Sequence, residues 1–232
     1  AATCPTLLNS LEIPTELGDV PDPLQNIFNF SMFTSGYGFV DGTVSLTSIE
    51  SSFVESCFGN GGVSAGCTSC PCGNDAPSAE RGGCSNSAGA SARLIARGRP
   101  SVSDDTLSVE LRGAAPNTFA ILSSGASLAP ANAANPCFGL NSGITSPFFD
   151  GLRCVVQDIL RHGTRATDAQ GGVGVTTAGF GPPWGPAGGL LAANGFVAGQ
   201  TRHFQIVYRD DPMLGCGTGQ NTTQAVSIEM LP

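Results

Sequence analysis

Lysine is absent from this sequence of 232 residues; its ten basic residues are all arginine. Histidine occurs twice and tryptophan once. Charged residues make up 12%, roughly half the share of an ordinary soluble domain. Net charge is −8. A nucleic-acid binder needs a positive footprint to meet phosphates, and an anionic membrane surface asks for the same. The composition argues against both partners. No run reaches the roughly 18 apolar residues of a membrane-spanning helix. Three chemical signatures are also missing: HExxH of zinc hydrolases, GxSxG of serine hydrolases and CxxCH of haem attachment. The expectation is a chain that is not an enzyme and carries no cofactor.

Present instead are 32 Gly, 16 Pro and nine Cys, with apolar residues at 41%. That apolar share is too high for a disordered chain. Many Gly, Pro, Ser and Thr with little charge predict short strands joined by turns. Nine cysteines point to an oxidising compartment, and the odd number leaves at least one for another use. The chain opens on "AATC" without Met, the small-residue start expected after a signal peptide is cleaved. An extracellular or cell-surface location is therefore expected.

Residues 1–53 read as an extended, proline-punctuated N-terminal segment that becomes β-like from about Ser31. Its apolar residues Ile27, Phe28, Phe30, Phe33, Tyr37, Phe39, Val44 and Leu46 have few partners within the segment. They need burial elsewhere, which makes the segment a candidate donor strand. Residues 54–232 read as a single domain that opens with a Cys- and Gly-rich loop, 54–86. Beyond it the pattern is β throughout. In "DDTLSVELRGAAPN", Leu107, Val109 and Leu111 fall on one face, with Ser108, Glu110 and Arg112 on the other. Leu94 and Ala96 alternate with Arg93, Ile95 and Arg97. Phe204, Ile206 and Tyr208 share a face of "HFQIVYR". In "CVVQDILRH" the alternation falters at Gln157-Asp158, where a bulge or turn is expected. Six to eight such strands predict an all-β fold, an antiparallel β-sandwich or jelly roll. The stretch 171–195 is a long Gly/Pro loop holding Trp184.

"CTSCPCGN", Cys67 to Asn74, packs three cysteines into six residues. Zinc commonly takes two CxxC-type pairs. Cys67-Cys70 is one such pair, no second lies close, and His162 and His203 are distant in sequence. The oxidising setting favours disulfides.

Many scattered motifs now add up. "ESCFGNG", "CPCGN", "GGCSNSAGASARLIARGRPSVSDDTLSVELRGAAPN", "FFDGLRCVVQDILRHGT" and "GQTRHFQIVYRDDP" occur in order, followed by "CGTGQNTTQAVSIEM". Together they resemble a secreted cysteine-containing β-domain abundant in planctomycetes and myxobacteria. The resemblance spans about residues 55–230. It implies location and architecture and brings no catalytic residues. Cys4, Cys67 and the segment 1–53 depart from the family pattern, as does Val207, where Trp is common. With loop lengths, the pattern suggests Cys57 with Cys70, Cys72 with Cys84 and Cys154 with Cys216. Cys4, Cys67 and Cys137 remain as extra or inter-chain cysteines, Cys4 being the candidate for a link between chains.

Other chemistry is weaker. Asp104-Asp105 and Asp210-Asp211 could face calcium, but both pairs sit at strand ends where Asp commonly caps a turn. Glu50, Glu55, Glu110 and Glu229 show no arrangement that picks out a glycosidase pair. Asn29 and Asn221 stand in N-x-S/T acceptor patterns for glycosylation. The expected function is a structural subunit that polymerises into an extracellular filament or surface layer by strand donation. The alternative is a module that binds surface polysaccharide through aromatics such as Trp184, Tyr37, Phe148, Phe149 and Phe180. A secreted hydrolase ranks below both.

Overall fold

The computed structural model describes residues 27–34, 38–45, 53–60, 70–129, 147–174, 182–185, 189–213 and 217–232. Cys4, Tyr37, Leu46, Glu50, Cys67, Cys137, Phe180 and Cys216 lie outside them. The chain forms two compact units, Ala1–Glu50 and Ser51–Pro232. The sequence places this boundary three residues later, after residue 53. Phe53 belongs to the second unit because it starts a strand paired within that unit and packs against its core.

In the first unit β1 (Ile27–Thr34) and β2 (Gly38–Ser45) pair as an antiparallel hairpin. The expected extended segment is thus folded back on itself over these residues. In the second unit the strands are β3 (Phe53–Ser56), β4 (Arg93–Arg97), β5 (Ser108–Arg112), β6 (Phe119–Gly125) and β7 (Ser127–Leu128). They continue with β8 (Pro147–Phe148), β9 (Gly151–Leu152), β10 (Val155–Val156) and β11 (Leu160–Ala166). The last three are β12 (Thr201–Arg209), β13 (Gln220–Thr222) and β14 (Ala225–Glu229). The fold is all-β with antiparallel pairing between the strands, as the alternation predicts.

The main sheet runs β11-β6-β12-β14-β3, with β13 also on β12. β13 and β14 meet the two halves of β12 and are separated by Thr223-Gln224. There the Thr223 hydroxyl accepts the Ile206 N–H at 3.0 Å. Gln224 turns to the other layer, accepting Leu94 N–H at 3.0 Å and donating to Leu94 C=O at 2.7 Å. That layer is the β4–β5 hairpin, extended by bridges from Val109 to Trp184 and from Leu111 to Val173.

The core lies between the layers. Leu94, Leu107, Val109 and Leu111 meet Leu122, Phe204, Ile206, Tyr208 and Ile228, all fully buried or nearly so. Each large side chain so buried contributes roughly 1.5–3 kcal/mol. Pro116-Asn117 makes the turn after β5, with Asn117 at φ 53°. Trp184 is the largest fully buried side chain. Its indole N–H donates to the carbonyl of Gly163 at 2.9 Å. Gly163 holds φ 97° in the irregular stretch of β11, a conformation open to glycine, and so presents that carbonyl. Trp184 is therefore not a ligand-facing aromatic: its ring anchors this part of the Gly/Pro loop in the core.

Candidate functional site

The outer face of the main sheet, opposite the core, carries a second apolar cluster of Cys57, Cys70, Cys84, Leu152, Cys154, Val155 and Ala225. Two disulfides hold it. Cys57 pairs with Cys154 across a sequence separation of 97, and Cys70 pairs with Cys84 across 14. Cys72 is disulfide-bonded as well. The local pairings Cys57–Cys70, Cys72–Cys84 and Cys154–Cys216 are therefore corrected. Local loop lengths do not register that the segment 150–156 folds over the sheet beside the end of β3, bringing Cys154 to Cys57. A turn at Cys70–Gly73, closed by Gly73 N–H to Cys70 C=O at 3.1 Å, separates the two neighbouring cysteines. It leaves Cys70 facing Cys84, while the Cys72 Sγ lies 3.7 Å from an Asp150 carboxylate oxygen.

The cover is fixed to the sheet by polar side chains. Gln205, on β12, accepts the Cys154 N–H at 3.1 Å and donates to the carbonyls of Leu152 and Thr223, both at 2.8 Å. The Thr222 hydroxyl accepts Leu152 N–H at 3.0 Å. Gly151 is required here: a Cβ would run into the Thr222 hydroxyl and the Asn221 side-chain oxygen Oδ1. Asp150, buried at 2% exposure, accepts the Thr218 hydroxyl at 2.8 Å.

Beside this cover lies an open groove of about 450 Å³. Its floor is set by register. Ser123 on β6 stands opposite Gln205 on one side and Arg161 of β11 on the other. Ile121 stands opposite Val207 one row away. Phe148, Phe149 and Arg153 form the wall. The two phenyl rings are 4.3 Å apart at 55°, and the Arg153 guanidinium sits 5.8 Å from the Phe148 ring centre. The faltering alternation at Gln157-Asp158 marks a real bend: both residues adopt positive φ, 56° and 42°.

Each histidine meets a serine. His162 contacts Ser124 Oγ at 2.8 Å through Nε2 and Asn194 Oδ1 at 3.1 Å through Nδ1. Burial, with the nearby Arg202 charge, lowers its pKa to about 4 against the opposing effect of the hydrogen bond to Asn194 Oδ1. Ser124 is fully buried, so this chain of groups resembles a hydrolytic triad but offers no nucleophile to a substrate. It ties the 3₁₀ turn at Ala192–Asn194 to the sheet. His203 contacts Ser227 Oγ at 2.7 Å, and its pKa is lowered by burial and by Arg202. Among the described residues no carboxylate orients either ring.

The remaining candidates are dispersed. Asp105 accepts the N–H groups of Leu107 and Leu191 at 3.1 and 2.6 Å, and Asp210 accepts Ser87 N–H at 3.0 Å. Asp211 accepts Met213 N–H at 2.8 Å. Asp104 is exposed beside Asp105. These carboxylates shape loops, and no cluster of three or more metal-ligating side chains occurs among the described residues. Glu55 binds Arg81 and Arg93, and Glu110 binds Arg97 and Arg112. Asn221 is fully buried, donating to Ser85 C=O at 3.1 Å, so the folded domain does not present it to a glycan. Asn29 stands opposite Thr43 in the β1–β2 hairpin. The groove floor escaped sequence reading because it joins three strands distant in the chain. The polar residues Ser123, Gln205 and Arg161 at outward positions of strong strands were the available signal.

No protein-family model, no curated protein and no solved structure matches the chain.

Proposed function

We propose that the chain is a non-enzymatic, extracellular structural subunit that assembles with copies of itself through residues 27–45. The register of β1 against β2 carries the reading. Opposed positions are Phe28–Val44, Phe30–Gly42, Met32–Val40 and Thr34–Gly38 in one set, and Ile27–Ser45, Asn29–Thr43, Ser31–Asp41 and Phe33–Phe39 in the alternate set. Directly opposed residues share a face of a hairpin. One face thus has an apolar run through Phe28, Val44, Phe30, Met32 and Val40, while the other is polar at its middle and carries the Phe33–Phe39 pair near the turn. An isolated two-stranded hairpin is marginal in water and gains stability by covering its apolar row.

The main sheet supports an acceptor at its β3 end. At the other end, β11 carries Arg161 and Arg165 and a register shift, features that blunt an edge against added strands. β3 is short, exposes Val54 at 56%, and is held in place by the Cys57–Cys154 disulfide just beyond it. A hairpin of one copy laid against β3 of the next makes a head-to-tail contact. Such a contact repeats into an open filament unless it closes into a ring. The disulfides are compatible with an extracellular setting. No helix among the described residues is long and apolar enough to cross a membrane.

The test compares the full chain with residues 51–232 by negative-stain microscopy and sedimentation. Fibres or large assemblies from the full chain, and monomers from the shortened one, are expected. Assembly that survives removal of residues 1–50 overturns the reading.

A further inference from the structure

We propose that the groove on the outer face of the main sheet is a binding site for a carboxylate-bearing saccharide, with Arg153 and Arg161 as the anion contacts. This site is separate from the assembly segment and does not depend on it.

Charge singles out the groove. The chain carries −8 overall, with ten arginines. Arg81, Arg93, Arg97 and Arg112 are taken up by Glu55 and Glu110. Arg202 is buried and donates to Asp158 C=O at 2.7 Å, and Arg165 donates to Pro182 C=O at 3.3 Å. Arg99, Arg153, Arg161 and Arg209 are exposed and ion-paired to no described carboxylate, and of these Arg153 and Arg161 line the same groove. The guanidinium fork matches a carboxylate in a bidentate way.

The walls select the rest of the ligand. Phe148 and Phe149 are half-buried, and their inclined rings give two differently oriented apolar faces. The C–H-rich face of a pyranose packs on such a ring, while its hydroxyls need the polar atoms that Ser123 and Gln220 supply at the floor and rim. A peptide has no main-chain route to this surface. β6 and β12 are interior strands whose backbone groups are spent on β11, on each other, and on β13 and β14. Strand addition therefore cannot occur on the floor. About 450 Å³ falls within the roughly 300–1,000 Å³ of small-molecule sites.

The backbone adds an independent sign. Among the described residues five non-glycine residues have positive φ, and three of them, Phe149, Gln157 and Asp158, lie in the one segment that builds this wall. For a bulky residue such as Phe149 this is a rare conformation. Strain of this kind persists where the surroundings over-determine it, and it gathers at ligand clamps.

The experiment is calorimetry on the full chain with trigalacturonate, its fully methyl-esterified form and a short polyglutamate. Trigalacturonate should bind, weakening as salt rises; the ester and polyglutamate should bind at least tenfold more weakly. Arg153→Gln/Arg161→Gln and, separately, Phe148→Ala should each reduce affinity at least tenfold. Both arginines are exposed, so the double variant should keep its fold, checked by the buried Trp184 fluorescence. Equal binding of acid and ester removes the arginine role. Equal binding of polyglutamate makes the groove a general anion surface and overturns the saccharide. No binding of trigalacturonate at millimolar concentration overturns the site.

Discussion

Gln205 grips Cys154 through the backbone: its side-chain oxygen accepts the Cys154 N–H at 3.1 Å while its amide donates to Leu152 C=O two residues earlier at 2.8 Å. One buried amide therefore fixes the cover segment to the central strand and sets the position of a disulfide. Gln205 itself is only 4% exposed. Replacing it by leucine leaves the Cys154 N–H and the Leu152 and Thr223 carbonyls without that partner. The loss should be about 2–4 kcal/mol, since each stranded buried polar group costs roughly 1–3 kcal/mol and some will find water. Urea unfolding of Gln205→Leu checks this. A change within 0.5 kcal/mol would show that the clamp is incidental.

The disulfides give a second prediction. Proteolysis without reductant, followed by mass spectrometry, should return the linked pairs Cys57–Cys154 and Cys70–Cys84. Chain-entropy reasoning assigns about 3 kcal/mol to closing the short loop and about 4–5 kcal/mol to the long one. Cys57→Ala/Cys154→Ala should therefore cost more than Cys70→Ala/Cys84→Ala in the same unfolding assay. Recovery of Cys57–Cys70 or Cys72–Cys84 peptides would contradict the fold on this face.

Acid should weaken the domain through its histidines. His162 is lowered to about 4 from an ordinary 6.5, chiefly by burial, and His203 is shifted the same way. A folded-state pKa below the unfolded one means that the unfolded chain takes the proton first. Stability is then flat above pH 6.5 and declines as pH falls from 6.5 through about 4. For His162 the decline should be about 1–2 kcal/mol, allowing for solvent at its open side. His162→Gln should flatten part of that slope in denaturant titrations at stepped pH. An unchanged slope would remove His162 as its source.

Much of the scaffold was legible in the sequence because strand burial repeats every second residue. Leu107, Val109 and Leu111 are fully buried, as are Phe204 and Ile206 and, at 1% exposure, Tyr208. The stretch read as β-like from about Ser31 also forms strands, but as a hairpin whose first arm begins earlier, at Ile27, since a candidate donor strand and one arm of a hairpin share the same extended pattern. Trp184 was harder. Its Gly/Pro surroundings have no period, and its burial depends on a bridge to Val109 that is remote in sequence. The cysteine pairing failed for the same reason: Cys57 and Cys154 meet only because the cover folds back over the sheet. The candidate groove combines both kinds of residue. Its floor lies on strands the alternation predicts, and its wall comes from the irregular segment at Phe148–Arg153.

The most direct test of the assembly account is sedimentation of the full chain beside the variant Phe30→Asp/Met32→Asp. Both changes place a charge at the apolar register positions of β1 and leave residues 51–232 untouched. The account predicts polydisperse, fast-sedimenting assemblies for the natural sequence and a single slow monomer for the variant. A natural chain that sediments as a monomer at every concentration, or a variant that assembles equally well, would contradict it.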